Sequence, residues 1–291
     1  CAYMIVRNEA VLLPYALQSI HALCDEIFVV DNGSTDGTPD IARATSDKVR
    51  MLYVPGQKLH DPMASEQHLR SIGVAACKAA HADLVLRWDA DEVLYEGQEE
   101  MIRALWEDMT IGTWWFVSVS FLGTLAWIED IRQGGAWFWG HAIQTAHWGV
   151  QQVTGKRVLF RAHPGLRYVP NPSYDGGLHG CEWESSQPRR DRWTSIQFAH
   201  LEWVRSNRRI YEKLLRYHEL IADPNDWGHS QAFRESISLE MPYKQPYLRP
   251  CEEPLPALLT TLDIPAEMVL GYEENGQCRV LQRTWRGTSD W

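Results

Sequence analysis

The chain has 291 residues, 45% of them hydrophobic, enough for one large domain with a real core or one domain with an appendage. Its formal net charge is −10, with a pI near 5.6 and no long run of Lys or Arg, so it has no basic track for nucleic acid. Six scattered cysteines (Cys1, Cys24, Cys77, Cys181, Cys251, Cys278) show neither a C-x-x-C pair nor a metal-ligand spacing, which predicts a reduced, cytoplasmic protein.

In chain order, Ala2 to Val6 predicts a short apolar strand, followed by Arg7-Asn8-Glu9. Val11, Leu12, Tyr15, Ala16, Ser19 and Ile20 recur at helical spacing and predict an amphipathic helix to about Leu23, with Pro14 tolerated in its first turn. Glu26 to Val30 predicts a second strand whose apolar run suits burial on both faces. It ends in a dense turn cluster, Asp31 to Gly37, after which Thr38 is expected to cap a helix with Pro39 at its first position. Val49 to Val54 reads as a third strand, Ser65 to Ala80 as a helix and Leu84 to Leu86 as a fourth strand. Strands alternating with helices predict a doubly wound α/β unit, whose ligands lie beyond the carboxyl ends of the strands.

The polar clusters Arg7-Asn8-Glu9, Asp31-Asn32-Gly33 and Asp89-Ala90-Asp91 each follow a strand and therefore converge on one rim. Carboxylates after a buried strand are costly unless a cation holds them, and a divalent metal carrying a diphosphate is such a partner. An exposed acidic turn is the plain alternative. The first strand-to-helix turn lacks G-x-G-x-x-G, and G-x-x-x-x-G-K-[ST] occurs nowhere, so a bound nucleotide needs a metal in place of a glycine-rich cradle.

Three stretches resemble a family-2 glycosyltransferase of the GT-A fold: Met4 to Glu9, Asp25 to Thr38, and Asp89-Ala90-Asp91-Glu92. The resemblance implies a Rossmann-like doubly wound mixed sheet with an acceptor-side subdomain. Residues 1–95 would form the nucleotide-sugar half and 96–222 the acceptor-side half; residues 223–291, which the resemblance does not reach, are expected to form a helical C-terminal extension. Val6, Arg7 and Glu9 would line the nucleotide pocket, Asp31 would meet the base (usually uracil), and Arg70 of Arg70-x-x-Gly73 would contact the nucleotide or diphosphate. Asp89 would face ribose and metal, and Asp91 would ligate Mn²⁺ or Mg²⁺. Asp31 as a turn former and Arg70 as a helix-surface charge are the alternatives.

Ile111 to Ile128 is apolar over roughly a membrane-spanning length, but its Gly, Ser and Thr content and the alternation of Val117 to Phe121 predict core strands joined by a turn. The fourteen Trp are foremost large core residues. Further on, Arg157 to Arg161 and Pro164 to Tyr168 resemble the segment leading to the acceptor site in a subset of the family. There a Glu following a His stands as general base; here Gly180 follows His179. Glu182 is the first choice, with Glu184, Asp175 and His179 behind it. Phe198 to Trp203 resembles the downstream segment whose His approaches the metal, which makes His200 a third ligand or else a hydrogen-bonded core histidine. A helix is expected over about Ser206 to Ile221, and the proline-rich tail from Asp223 is expected to fold back as helices and irregular cover.

The function implied is metal-dependent, inverting transfer from a nucleotide-sugar donor, UDP-linked, to a glycan, lipid-linked or other hydroxyl acceptor, as in cell-envelope polysaccharide synthesis. Peripheral contact at the inner face of the membrane is compatible with this reading. A sugar-phosphate nucleotidyltransferase and a degenerate, non-catalytic sugar or nucleotide binder are the rivals.

Overall fold

The computed structural model describes residues 1–54, 62–122, 127–129, 142–145, 152–168, 181–183, 190–204, 248–250, 255–262, 271–274 and 277–280. Four parallel strands open the fold: β1 (Ala2–Val6), β2 (Ile27–Asp31), β3 (Val49–Tyr53) and β4 (Leu84–Arg87), side by side in the order β4-β1-β2-β3. Alternate residues of β1 and β2 feed two apolar layers, as the two-residue period of a strand dictates. Met4 and Val29 pack with Leu13, Ala16, Leu17 and Ile20 of α1 (Leu13–Ile20) and Ala42 of α2 (Thr38–Thr45). Tyr3 and Phe28 pack on the other face with Val74 and Cys77 of α3 (Pro62–Ala79). The first half is thus doubly wound, with its elements in the predicted order.

Gly73 sets how closely α3 lies on the sheet. A Cβ built there would stand 2.4–2.9 Å from the ring and Cβ of the fully buried Tyr3. Gly73→Ala should therefore force α3 outward and cost about 1–3 kcal/mol, as overpacked cores do, read as a lower urea midpoint at unchanged slope. An unchanged midpoint would show that α3 has room to spare.

After β4 the chain reverses through Trp88 to Asp91 into β5 (Glu92–Leu94), and α4 (Glu99–Ala104) comes next. The remaining described strands are β6 (Ile111–Leu122), β7 (Trp127–Glu129), β8 (Ala142–Thr145), β9 (Gln152–Arg161), β10 (Leu166–Tyr168), β11 (Cys181–Trp183), β12 (Arg190–Trp203), β13 (Leu248–Pro250), β14 (Gly271–Glu274) and β15 (Gln277–Val280). The antiparallel β9 pairs with both β4 and β6, with Leu159 opposite Leu86 and Trp114. β12 lies parallel to β6 and antiparallel to β5. The sheet is therefore mixed and continuous from the first half into the second.

The apolar run at Ile111 to Ile128 forms β6 and β7, an antiparallel pair with Phe121 opposite Ile128, as its alternation indicated. Among the described residues no helix is long and apolar enough to cross a membrane. Trp88 and Trp114 are fully buried core residues.

Two expectations need revision. Gly37, not Thr38, is the N-cap of α2, because the Thr38 hydroxyl is used between loops: it accepts from the Glu9 N–H at 2.8 Å and donates to Asp36. The described parts of the tail are strands β13 to β15 and a 3₁₀ turn, Ala257–Thr261, rather than α-helix. Prolines 250, 254 and 256 deny that stretch helical hydrogen bonds. The tail does act as cover: Leu259 is buried against Leu12, Val93, Phe121 and Leu201. The helix expected at Ser206 to Ile221 lies outside the described residues. Cys24 and Cys77 are free thiols, pushed up by burial to about 11 and about 12, and so are inert core groups.

Candidate active site

Parallel β1, β2 and β4 bring their carboxyl ends to one edge, so the three polar clusters do share a rim. Val6 pairs with Asp31 in register, and the Trp88 N–H donates to the Tyr3 carbonyl at 3.0 Å. With β1 between them, β2 and β4 lie two strand spacings, about 10 Å, apart across the sheet.

The β1 and β2 loops are cross-tied. Asn8 adopts a left-handed backbone (φ 58°), which asparagine tolerates better than most residues. Its carboxamide oxygen accepts from the Thr35 N–H at 2.7 Å, and its own N–H donates to the Ser34 hydroxyl at 2.9 Å. The Ser34 hydroxyl in turn donates to Asp31 Oδ1 at 2.5 Å. Asp31, only 3% exposed, is thus held by its own loop and is also the carboxylate at the floor of the rim. Val6 is buried beneath it; Arg7 is exposed and Glu9 half-buried at its mouth.

The second cluster forms where β4 turns into β5. Arg70 is not a surface charge: it is 3% exposed, and both terminal nitrogens donate to Asp89 Oδ1 at 3.3 and 3.2 Å. Lys156 of β9 donates to Asp89 Oδ2 and to Glu92 Oε1, the latter at 2.5 Å. Glu92 Oε2 accepts from the Asp89 N–H at 2.9 Å, and the Glu92 carbonyl accepts from the Trp88 indole at 2.8 Å. Burial works to raise the Asp89 carboxyl, but the charges of Arg70, Lys156 and Arg87 outweigh it and hold Asp89 well below the usual carboxylate range. Glu92, fully buried, is pushed the other way by burial, with Asp89 adding to the rise and Lys156 opposing it. Glu92 is thus a full member of the cluster.

Asp91 faces a different neighbour. Its carbonyl accepts from the Leu201 N–H at 2.7 Å, pinning the turn to β12, and its Oδ1 lies 4.0 Å from His200 Nε2. His200 stands opposite Glu92 of β5 on one side and Ser120 of β6 on the other. A separation of 4.0 Å is too long for a hydrogen bond; neighbouring ligands about 2.0–2.2 Å from an octahedral ion stand roughly 3 Å apart, so the two side chains would close by about 1 Å to share one. A carboxylate and an imidazole also suit Mn²⁺. The pair fits a divalent ion that takes its remaining ligands from phosphate and water. Among the described residues no three His, Cys, Asp or Glu side chains gather as a full metal cage, and Asp89 is committed to cations instead.

The expected base is not brought to this corner. Glu182 lies on β11, opposite Arg167 of β10. That ribbon sits beside the far end of α3, where Lys78 Nζ donates to the carbonyls of Pro164 and Leu166 at 2.6 and 3.3 Å. Lys78 is about 12 Å along the helix from Arg70. His179, Glu184 and Asp175 lie outside the described residues.

Comparison with known proteins fits this geometry. The family description "Glycosyl transferase family 2" matches residues 1–146, half of the chain. The chain belongs to this family, its mixed sheet being of the GT-A type. It is 33% identical over 105 residues to an uncharacterised glycosyltransferase of Rickettsia bellii, covering 35% of this chain and 31% of that protein. It is 36% identical over 106 residues to a TPR repeat-containing protein of Synechococcus elongatus, covering 36% and 22%. The matched stretch is thus less than a third of either relative's length. Among solved structures, Staphylococcus aureus TarS (residues 1–349) aligns over 81% of this chain and 68% of that one, at 12% identity and a TM-score of 0.43. Glucosyl-3-phosphoglycerate synthase of Mycobacterium tuberculosis, solved with Mn²⁺ and UDP-glucose, aligns over 41% and 43% at 21% identity and a TM-score of 0.31.

Sequence reading missed Asn8 and Lys156. A left-handed Asn between a strand and a helix leaves only a faint signal. Lys156 leaves none until β9 is paired with β4: the register that sets Leu159 against Leu86 runs on to set Lys156 against Asp89.

Proposed function

We propose that this protein is a glycosyltransferase that moves a sugar from a nucleoside-diphosphate sugar, uridine-linked, to an acceptor hydroxyl, with Mn²⁺ or Mg²⁺ and with inversion at the anomeric carbon. The observation that carries this reading is the Asp91–His200 pair, 4.0 Å apart, on the rim that also holds Asp31. Asp31 would accept from the N–H of the base, while Val6, Arg7 and Glu9 line that pocket. Arg70 holds Asp89 at the corner where ribose and diphosphate would pass. Asp91 and His200 would hold the ion, which supplies Lewis-acid relief of charge on the departing diphosphate.

Residues 1–95 would then bind the donor and 96–222 the acceptor, with 223–291 covering the acceptor side. Attack from the opposite face needs a carboxylate or imidazole within reach of the hydroxyl. The twelve residues between Tyr168 and Cys181 are enough to travel to the rim and back, but only their middle has the length to reach it: Asp175 is six residues from Cys181, His179 only two. Glu182 is paired into the ribbon beyond them, so the base role passes to Asp175, with His179 and Glu184 behind it.

The test screens UDP-, GDP- and dTDP-sugars for hydrolysis and transfer with and without Mn²⁺, then compares two variants. Glu182→Gln is expected to keep transfer, and Asp175→Asn to lose about 10²–10⁴-fold in kcat while still binding UDP. Loss in Glu182→Gln alone would return the base to that position, and turnover unchanged after chelation would sink the metal reading.

A further inference from the structure

All four carboxylate oxygens of Asp89 and Glu92 are occupied from within the protein. Asp89 Oδ1 takes Arg70, Asp89 Oδ2 takes Lys156, Glu92 Oε1 takes Lys156, and Glu92 Oε2 takes the Asp89 N–H. Lys156 is only 8% exposed and Glu92 is fully buried, so the interaction is shielded from solvent and salt. A lysine ammonium is a compact point charge, and two of its three donors are used here. It therefore sits between two acidic groups where a hard divalent ion would otherwise bind.

We propose that Lys156 is a positioning residue that acts as a built-in cation. It keeps Asp89 and Glu92 out of the metal's ligand set, so that the protein offers Asp91 and His200 alone and binds the divalent ion firmly only together with the donor diphosphate. The inference rests on the metal reading above and deepens it. Asp89 is fixed to orient the donor, and metal capture is made conditional on nucleotide. Two protein ligands leave most of an octahedral ion's positions to water and phosphate, the regime in which the substrate's oxygens decide affinity. A corner with three free carboxylates would instead hold Mn²⁺ in the absence of substrate.

Electron paramagnetic resonance titration of Mn²⁺ on the full chain, with and without UDP, reads this without any turnover. Wild type should bind Mn²⁺ weakly alone and at least about tenfold more tightly with UDP. Lys156→Met, which removes the charge at similar length, should raise nucleotide-free Mn²⁺ affinity by about tenfold or more, within the range of outer-shell effects on metal sites. Lys156→Arg, which keeps the charge, should stay at the wild-type value. A lysine serving only to stabilise the fold would not raise metal affinity when removed. Nucleotide-free affinity that is unchanged or lower in Lys156→Met, or raised equally in Lys156→Arg, overturns the proposal. If Lys156→Met does not fold, the wild-type titration still decides, because tight Mn²⁺ binding without UDP overturns it as well. Absence of Mn²⁺ binding even with UDP defeats the metal reading itself, an outcome distinct from the others.

Discussion

Asp91→Asn is expected to lower kcat/KM for sugar transfer by about 10³-fold or more while leaving the fold intact. The substitution keeps the shape of the side chain and does not touch the carbonyl that accepts from the Leu201 N–H, so the turn stays pinned to β12. What it removes is the carboxylate charge beside His200, the hard ligand of the proposed metal site. Relief of charge on a departing diphosphate amounts to several kcal/mol, and each 1.36 kcal/mol is about tenfold in rate. The check is steady-state transfer alongside UDP calorimetry with Mn²⁺: transfer lost, fold retained, and the Mn²⁺-dependent part of UDP binding lost with it. Full activity in Asp91→Asn would move the metal site elsewhere on the rim.

Asp89→Ala should act mainly on stability. It strips one partner from Arg70 and one from Lys156, both almost wholly buried. Breaking a buried ion pair from one side costs about 3–5 kcal/mol, and since the Asp89 side chain is itself 21% exposed the lower end applies. For a chain of this size that lowers Tm by roughly 6–12 °C. The sign of the pH dependence comes from the depressed carboxyl. Asp89 contributes stability above its unfolded value, near 4, and that contribution is lost as pH falls through the lower folded value. Glu92 works in the opposite sense: its raised carboxyl favours the fold below its unfolded value, and that contribution is lost as pH rises through the folded one. An Asp89→Ala protein should therefore show a shallower acid limb in a melting series from neutral pH downward. A limb as steep as wild type would assign acid sensitivity to other carboxylates.

The first half of the fold was legible because its signals are local. Apolar runs, helical spacing and turn chemistry stay within windows of about ten to twenty residues, and the order β1, α1, β2, α2, β3, α3, β4 emerges from them. Asp31 and Asp89 announced themselves as carboxylates directly after strands. The partners of Asp89 were less visible. Arg70 is nineteen positions away on a helix, and Lys156 is sixty-seven away across a strand pairing that no local pattern encodes. Glu182 is placed by a pairing that no local pattern encodes. The hairpin with β10 carries it to the far end of α3, and nothing in the residues around it records that pairing.

The turn from Trp88 to Asp91 also has a mechanical consequence. β4 pairs with β9, β9 with β6, β6 with β12, and β12 with β5, while β5 is joined back to β4 by that turn. Five strands thus form a closed circuit, and the acidic corner is its clasp. Three side chains that meet the clasp come from separate elements: Lys156 from β9, His200 from β12, and Arg70 from the helix outside. Sliding any one strand would open the 4.0 Å gap at Asp91 or unseat Lys156, so a load on β6 or β12 is transmitted to the acidic corner without touching it.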